Sequence, residues 1–414
     1  MLIFVYDLYF VETNTALLKI LLIKIRKYMK IIVVGAGAFG GWIALLLRRK
    51  NHQVLLLDGY GPANARSSSG DESRVIRALY KDEVYTQLTL QSMQLWEDNE
   101  ILFGEKYFYR TGVINFIGRD ESRWLAAKGH LIKWKVAFDE IENASLTNQF
   151  PMISTKGIQY SVLEKGGGYL RARAGCEAVV KQFISEGGNY LQKNVKTLQQ
   201  LPSTLSEIEL EDGSHLEADA FVFATGPWIS QILPQVLGGV ILPSKQDLFY
   251  FGMPSFLPFN NNLPVWCDFA TLEEDVMYYG IPASDPTTAG FGFKVGRDVV
   301  GPEFDPGSGE RIIDLKNLEQ ARQFMEQRFP FMAGAPLLQS RVCQYENTID
   351  AHLIIDTLPG HKNIWVAGGG SGHGYKLGAA VGHYLANRIE GSIAEEPLFL
   401  INRLSKPPDG DQRR

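Results

Sequence analysis

Uncharged runs of β-branched residues and leucine recur along this chain, and several of them end on glycine. The first, Ile31-Ile32-Val33-Val34, feeds straight into Gly35-Ala36-Gly37-Ala38-Phe39-Gly40. A run without polar alternation suits a parallel strand covered on both faces, and G-x-G-x-x-G suits the turn from such a strand into a helix. Gly35 permits the tight turn. Gly37 lets a pyrophosphate approach bare backbone, and Gly40 lets the helix expected over residues 42–49 lie close on the sheet. Free N–H groups at the helix start would face the phosphates. Val54-Leu55-Leu56-Leu57-Asp58 predicts the next strand. Its terminal acid stands about 20 residues past the glycines, where an adenosine ribose needs an acceptor. FAD and NAD share this fingerprint, which by itself does not choose between them.

Val84, Leu88, Leu95 and Trp96 mark one stripe of an amphipathic helix. Over residues 109–160 the pattern changes to short strands and polar turns, as in Thr111-Gly112-Val113-Ile114-Asn115-Phe116, which reads as entry into a second, mixed domain. A helix near Ala172–Ser185, stopped by Gly187-Gly188, precedes a strand over 190–195 that ends at Val195. A hairpin follows around Glu211-Asp212-Gly213, then a buried run, Phe221-Val222-Phe223-Ala224, that ends in Gly226-Pro227-Trp228. Residues 229–339 again mix aromatic strands with Pro/Gly turns. There Phe and Gly alternate up to Lys294, which suits either a sheet with something flat lying on it or a twisted strand with an exposed lysine. Arg341-Val342-Cys343-Gln344-Tyr345 leads back to the first domain. Ile364-Trp365-Val366-Ala367 then runs into Gly368-Gly369-Gly370-Ser371-Gly372-His373-Gly374-Tyr375-Lys376 and a helix with Val381, Tyr384, Leu385 and Ile389 on one face.

This pattern predicts an α/β protein. A discontinuous Rossmann-like domain is expected over 29–108, 161–235 and 340–404, with a mixed-sheet α+β domain over 109–160 and 236–339 and a loose tail over 405–414. Residues 1–28 stand apart. Their apolar stretch is broken by Lys19 and Lys24 and has no small-residue cleavage site, which fits neither a signal peptide nor a spanning helix. They are expected to be a dispensable extension upstream of Met29, or else a short amphipathic surface helix.

At 414 residues with a formal net charge of −5, the chain has room for two or three domains and no basic footprint for nucleic acid. Its three cysteines, Cys176, Cys267 and Cys343, are far apart, in no C-x-x-C, and argue for a reducing, cytoplasmic setting. No close histidine pair suggests a metal. Arg74 and Arg77 follow the loop Ser67-Ser68-Ser69-Gly70-Asp71 at a spacing that also fits a plain solvated face. Two glycine-rich helix starts at opposite ends of the chain tip the cofactor towards FAD, since a flavoprotein can use one for the pyrophosphate and turn the other to the isoalloxazine.

Gly70-Asp71 through Arg77, Arg341 through Tyr345, Ile349 through Asp356 and Ser371 through Lys376 together resemble the D-amino-acid-oxidase-like flavoenzymes, in the branch of monomeric sarcosine oxidase and N-methyltryptophan oxidase. The resemblance implies oxidation of the C–N bond of a secondary or N-methyl α-amino acid, hydride transfer to FAD, imine hydrolysis and reduction of O₂ to hydrogen peroxide. Alternatives are a dehydrogenase with another acceptor, or an oxidase of a cyclic amino acid. It also implies a thioether from Cys343 to the flavin, a carboxylate clamp of Arg77 and Lys376, Lys294 with Arg74 on the face where oxygen is reduced, and Tyr279 and Tyr345 on the substrate side. Ser69, Val195, Gly226, Trp228, Gly370, Gly372, His373 and Gly374 join Gly35, Gly37, Gly40, Asp58, Arg74 and Lys376 as cofactor positions, with His373 placing the flavin rather than moving protons. The expected partners are a small amino acid and O₂, with no stable membrane insertion, and the chain is expected to be a monomer. One position departs from the family, which commonly has histidine where this chain has Asp298. A carboxylate there either pairs with a cationic amine or points to solvent.

Overall fold

The structure, a computed structural model, describes residues 28–254, 263–271, 276–282 and 292–405. The expectation for residues 1–28 lies outside these apart from Tyr28, as does most of the tail and the start of the Phe/Gly run. Among the described residues no helix is long and apolar enough to cross a membrane.

The uncharged runs become neighbours in one six-stranded sheet. Lys30–Val34 lies between Gln53–Leu57 and Ala220–Phe223 and parallel to both, with Val34 opposite Leu57 on one side and Phe223 on the other. Ile364–Gly368 extends the sheet beyond Ala220–Phe223, and Asn189–Leu191 extends it beyond Gln53–Leu57. Only the edge strand Ile354–Thr357 is antiparallel. Both faces are covered, which explains why the runs do not alternate. Ile31, Val33, Leu56 and Val222 pack with the helices Ala38–Arg49, Ala172–Ser185 and Gly378–Ile389. Ile32, Leu57, Phe221 and Phe223 join a second apolar cluster on the other side. The amphipathic stripe belongs to the helix Glu83–Phe103, in which Leu88 and Trp96 are buried.

An eight-stranded sheet stands against this layer, in the spatial order Leu337–Asn347, Leu242–Phe251, Phe293–Asp298, Met277–Ile281, Val265–Asp268, Val113–Ile117, Tyr160–Glu164, Phe138–Glu142. Its neighbours are antiparallel except for Val265–Asp268 against Val113–Ile117. The boundaries drawn from the sequence at 161 and 340 therefore fall inside strands of this sheet. The segment carrying Cys343 is its edge strand, with Cys343 opposite Gln246. Residues 122–133, expected as strands and turns, form the helix Ser122–Lys133, because Trp124, Ala127 and Leu131 recur at helical spacing and bury one stripe. A small sheet of Ser73–Ile76, Gly168–Arg171 and Phe108–Tyr109 carries Arg74.

Candidate active site

The strand Lys30–Val34 ends at Gly35, whose φ of +104° favours glycine and whose added Cβ would stand 2.3 Å from the Ala224 carbonyl oxygen. A Cβ on Gly40 would lie 1.7 Å from the Gly35 oxygen, so the helix reaches the turn only because position 40 has no side chain. The helix Ala38–Arg49 has no acidic residue in its first turn and no side-chain cap from Gly37. Its first N–H, that of Ala38, donates to Ser69 Oγ at 3.1 Å. Asp58 closes the turn. Its carboxylate accepts from the N–H of Ala36 at 2.7 Å and from those of Tyr60 and Gly61 at 2.8 Å, while burial pushes its pKa up against these bonds.

These groups line a cleft of about 490 Å³. Val195, Gly226, Trp228, Gly370, Gly372, Gly374, Arg74 and Cys343 line it too, so the two glycine turns from opposite ends of the chain face one space. Gly40 acts from behind, and His373 and Lys376 lie beyond the cleft. Three polar atoms on the cleft residues, Thr225 Oγ1, Trp228 Nε1 and Glu346 Oε2, are buried without a hydrogen-bond partner. Such atoms ask for a polar ligand.

A second cavity, of about 1530 Å³, adjoins the cleft, and Arg74, Cys343, Tyr345, Gly372 and Tyr375 line both. Its wall carries Arg77, Tyr279, Asp298, His373 and Lys376. Arg77 is buried, donates to the Leu79 carbonyl and lies 5.5 Å from the Tyr80 ring and 5.6 Å from that of Phe269. The Lys376 ammonium lies 5.3 Å from the same Tyr80 ring, so the two expected clamp residues, 299 positions apart in sequence, share one aromatic face group. Tyr80 in turn contacts His373 Nδ1 at 3.0 Å. Tyr279 and Tyr345 hydrogen-bond to each other, and burial pushes both phenols up. The strand beside Tyr279 has glycine at position 296, where a Cβ would stand 2.4 Å from the Tyr279 ring.

Cys343 is half-buried at the junction, with the Arg74 guanidinium 3.6 Å from its sulfur. Behind Arg74 lies a charged layer centred on Asp71. Lys294 donates to Asp71 Oδ2 at 2.5 Å and to the Ser73 carbonyl at 2.6 Å. Arg74 pairs with the same oxygen, and Tyr250 donates to Oδ1 at 2.5 Å. Burial alone would raise the Asp71 pKa, but Lys294 and Arg74 overcome it and hold the carboxyl well below its usual range. Burial pushes Lys294 down to about 8 against the pull of Asp71. Lys294 is fully buried and lines neither cavity, one layer behind Arg74, which lines both. Asp71 and Glu346 had no role in the sequence reading. Asp71 lies within the segment Gly70–Arg77, but its importance depends on a lysine 223 residues away. For Glu346, the signal available was an acid three residues after Cys343, beside the expected cofactor.

A parallel sheet with a glycine-turn cleft, joined to an antiparallel sheet that roofs a cationic chamber, defines a dinucleotide-dependent oxidoreductase. Residues 30–388 match the profile of the FAD dependent oxidoreductases (DAO), and the chain belongs to this family. It is 28% identical over 390 residues to monomeric sarcosine oxidase of Bacillus sp. (strain B-0618), covering 91% of this chain and 96% of that protein. It is 25% identical over 389 residues to N-methyl-L-tryptophan oxidase of Citrobacter koseri, covering 91% and 99%. Among solved structures, L-proline dehydrogenase from P. horikoshii superposes with a TM-score of 0.77 over 92% of this chain and 99% of that one, at 18% identity, a likeness of fold.

Proposed function

We propose that this protein oxidises the C–N bond of an N-methyl or other secondary α-amino acid, with FAD attached through Cys343 and O₂ as the electron acceptor. The observation that carries this reading is the junction of cleft and chamber. There Cys343 and Arg74 line both spaces, while Arg77 and Lys376 meet over Tyr80 within the chamber. The glycine cradle and the unpartnered buried atoms of Thr225, Trp228 and Glu346 fit a dinucleotide. FAD bound there supplies a two-electron acceptor.

Each residue has a separate task in this reading. Arg77 and Lys376 hold the substrate carboxylate, each charged hydrogen bond contributing roughly 1.5–3 kcal/mol. Tyr279 and Tyr345 confine the body of the substrate. Arg74 lies against the Cys343 sulfur, where sulfur–carbon bond formation proceeds from a thiolate. With Lys294 behind it, Arg74 also sets positive charge where oxygen reduction develops negative charge. The substrate loses two electrons and two protons and becomes an imine, which water hydrolyses. O₂ takes up the electrons and protons as hydrogen peroxide.

The test is anaerobic mixing of the holoenzyme with sarcosine, N-methyl-L-tryptophan, L-proline and L-pipecolate while the flavin absorbance is followed, and then admission of air. Bleaching by an N-methyl acid and stoichiometric peroxide are expected. Bleaching without peroxide would make the protein a dehydrogenase, and no bleaching by any of the four would remove the reading. Acid-precipitated protein is expected to stay yellow; colour wholly in the supernatant would rule out the link through Cys343.

A further inference from the structure

The chamber has an anionic side as well as a cationic one. Asp298 ends the strand Phe293–Asp298 and lines the chamber, and its carboxylate forms no ion pair among the described residues. Its Oδ1 lies 3.1 Å from where a Cβ on Gly372 would stand, and Gly372 and Tyr345 line both cleft and chamber. The carboxylate is therefore on the cleft side of the chamber. Its field acts on Tyr279, Tyr345 and the Cys267 thiol, and the fields of Arg77 and Lys376 act on that same thiol. Arg77, Lys376 and Asp298 thus act on one buried thiol, while Arg74, Arg119 and Arg123 also line the chamber and the buried Glu164 acts on Arg77 and Lys376 from outside its lining. The other carboxylates on the chamber wall, Asp120 and Glu303, are exposed.

A carboxylate ligand without a cationic group would leave Asp298 with nothing to bind, and a half-buried carboxylate facing another anion raises the free energy of the complex. An α-amino acid in its zwitterionic form separates its charges by only the Cα atom, and its cationic end would lie towards the cleft when its carboxylate is on Arg77 and Lys376. We infer that Asp298 binds the substrate amine in its cationic form, so that this chamber selects zwitterions over anionic amino acids. The inference rests on the carboxylate clamp proposed above. It makes Asp298 a residue that determines the charge state in which substrate enters.

Trimethylglycine and 3,3-dimethylbutanoate separate the two ideas, because they share a carboxylate and a shape and differ in one positive charge. Each is titrated against the holoenzyme and read by perturbation of the flavin absorbance, in the native chain and in Asp298→Asn. The native enzyme is expected to prefer trimethylglycine by about tenfold or more. Asp298→Asn should remove that preference by weakening trimethylglycine and leaving 3,3-dimethylbutanoate bound as tightly or more tightly, which also shows that the variant's chamber is intact. Equal affinities in the native enzyme, or a preference that survives in Asp298→Asn, would overturn the inference while leaving the clamp in place. No perturbation by either carboxylate would overturn the clamp, and the inference with it.

Discussion

The cleft and the charged layer beside it hold their shapes by different means. In the cleft the groups that matter are backbone, and each is placed by its immediate sequence. Gly35 turns, Gly40 admits the helix, and Asp58 accepts from N–H groups either 22 residues back or two and three residues on. In the charged layer the groups are side chains from separate strands. Asp71 is held by Lys294, 223 residues on, and by Tyr250, 179 residues on. A site written in backbone is damaged by adding atoms, whereas a site written in buried charge is damaged by removing one partner.

The layer should show the largest effect. Asp71→Asn leaves Lys294 buried beside Arg74 without its anion, and a cost of about 3–5 kcal/mol is expected in urea unfolding. Adding Lys294→Met should restore much of that loss, because the stranded charge is gone. A loss below about 1 kcal/mol for Asp71→Asn would mean that the layer is not held by this pairing. Gly40→Ala tests the cleft. The new Cβ would meet the Gly35 carbonyl oxygen at 1.7 Å, and backbone must move to relieve it. Roughly 3 kcal/mol of destabilisation and purified protein with little flavin are expected, read from the ratio of visible to ultraviolet absorbance. Full flavin content would show that the helix can retreat without opening the cleft.

The same contrast explains what the sequence made legible. The glycine turns, Asp58 and the unalternated strands follow short-range rules, and those strands lie side by side in one sheet, whose antiparallel edge strand Ile354–Thr357 the rules did not mark. The helix Ala172–Ser185 was ended by its glycine stop. Arg77, Lys376, Cys343 and Lys294 were singled out by motif likeness, which transfers a position without its neighbours. The layer in which Lys294 is buried was therefore missed, since nothing in the local sequence pairs it with Asp71. The helix Ser122–Lys133 was lost among turn-like residues although Trp124, Ala127 and Leu131 keep its period.

The chamber lies between these two extremes. Arg77 comes from the segment that carries Asp71, yet it works with Lys376 from the terminal glycine turn. Arg77→Ala is expected to raise KM for the amino acid by about 100-fold, with a much smaller change in the limiting rate of flavin reduction. Unchanged KM would place the carboxylate elsewhere. A fall in kcat alone would make Arg77 part of the charged layer and not of the substrate site.

Glu346 is a side chain of the kind that builds the charged layer, set instead in the backbone cleft. It lies against the Gly369-Gly370 turn, accepting from backbone N–H groups there, while its Oε2 has no partner. Burial pushes its pKa up to about 7 against those bonds, from an ordinary 4.5. Between these values the folded chain holds a proton that the unfolded chain has released, so stability falls as pH rises through the window. Below 4.5 the carboxyl is neutral in both states and its contribution is fully present, and above about 7 the loss is complete. The whole shift would correspond to ~3 kcal/mol, and water entering an open cleft reduces it to roughly 2 kcal/mol. Glu346→Gln keeps the acceptor for the turn and removes the titration. In flavin-free protein carrying Cys343→Ser, the Gln variant should match its parent in stability near pH 4.5 and exceed it by that amount at pH 8, read from urea midpoints at the two pH values. A gap that does not widen with pH would show that Glu346 finds a partner in the cleft, and the contrast between backbone-built cleft and charge-built layer would then hold without exception.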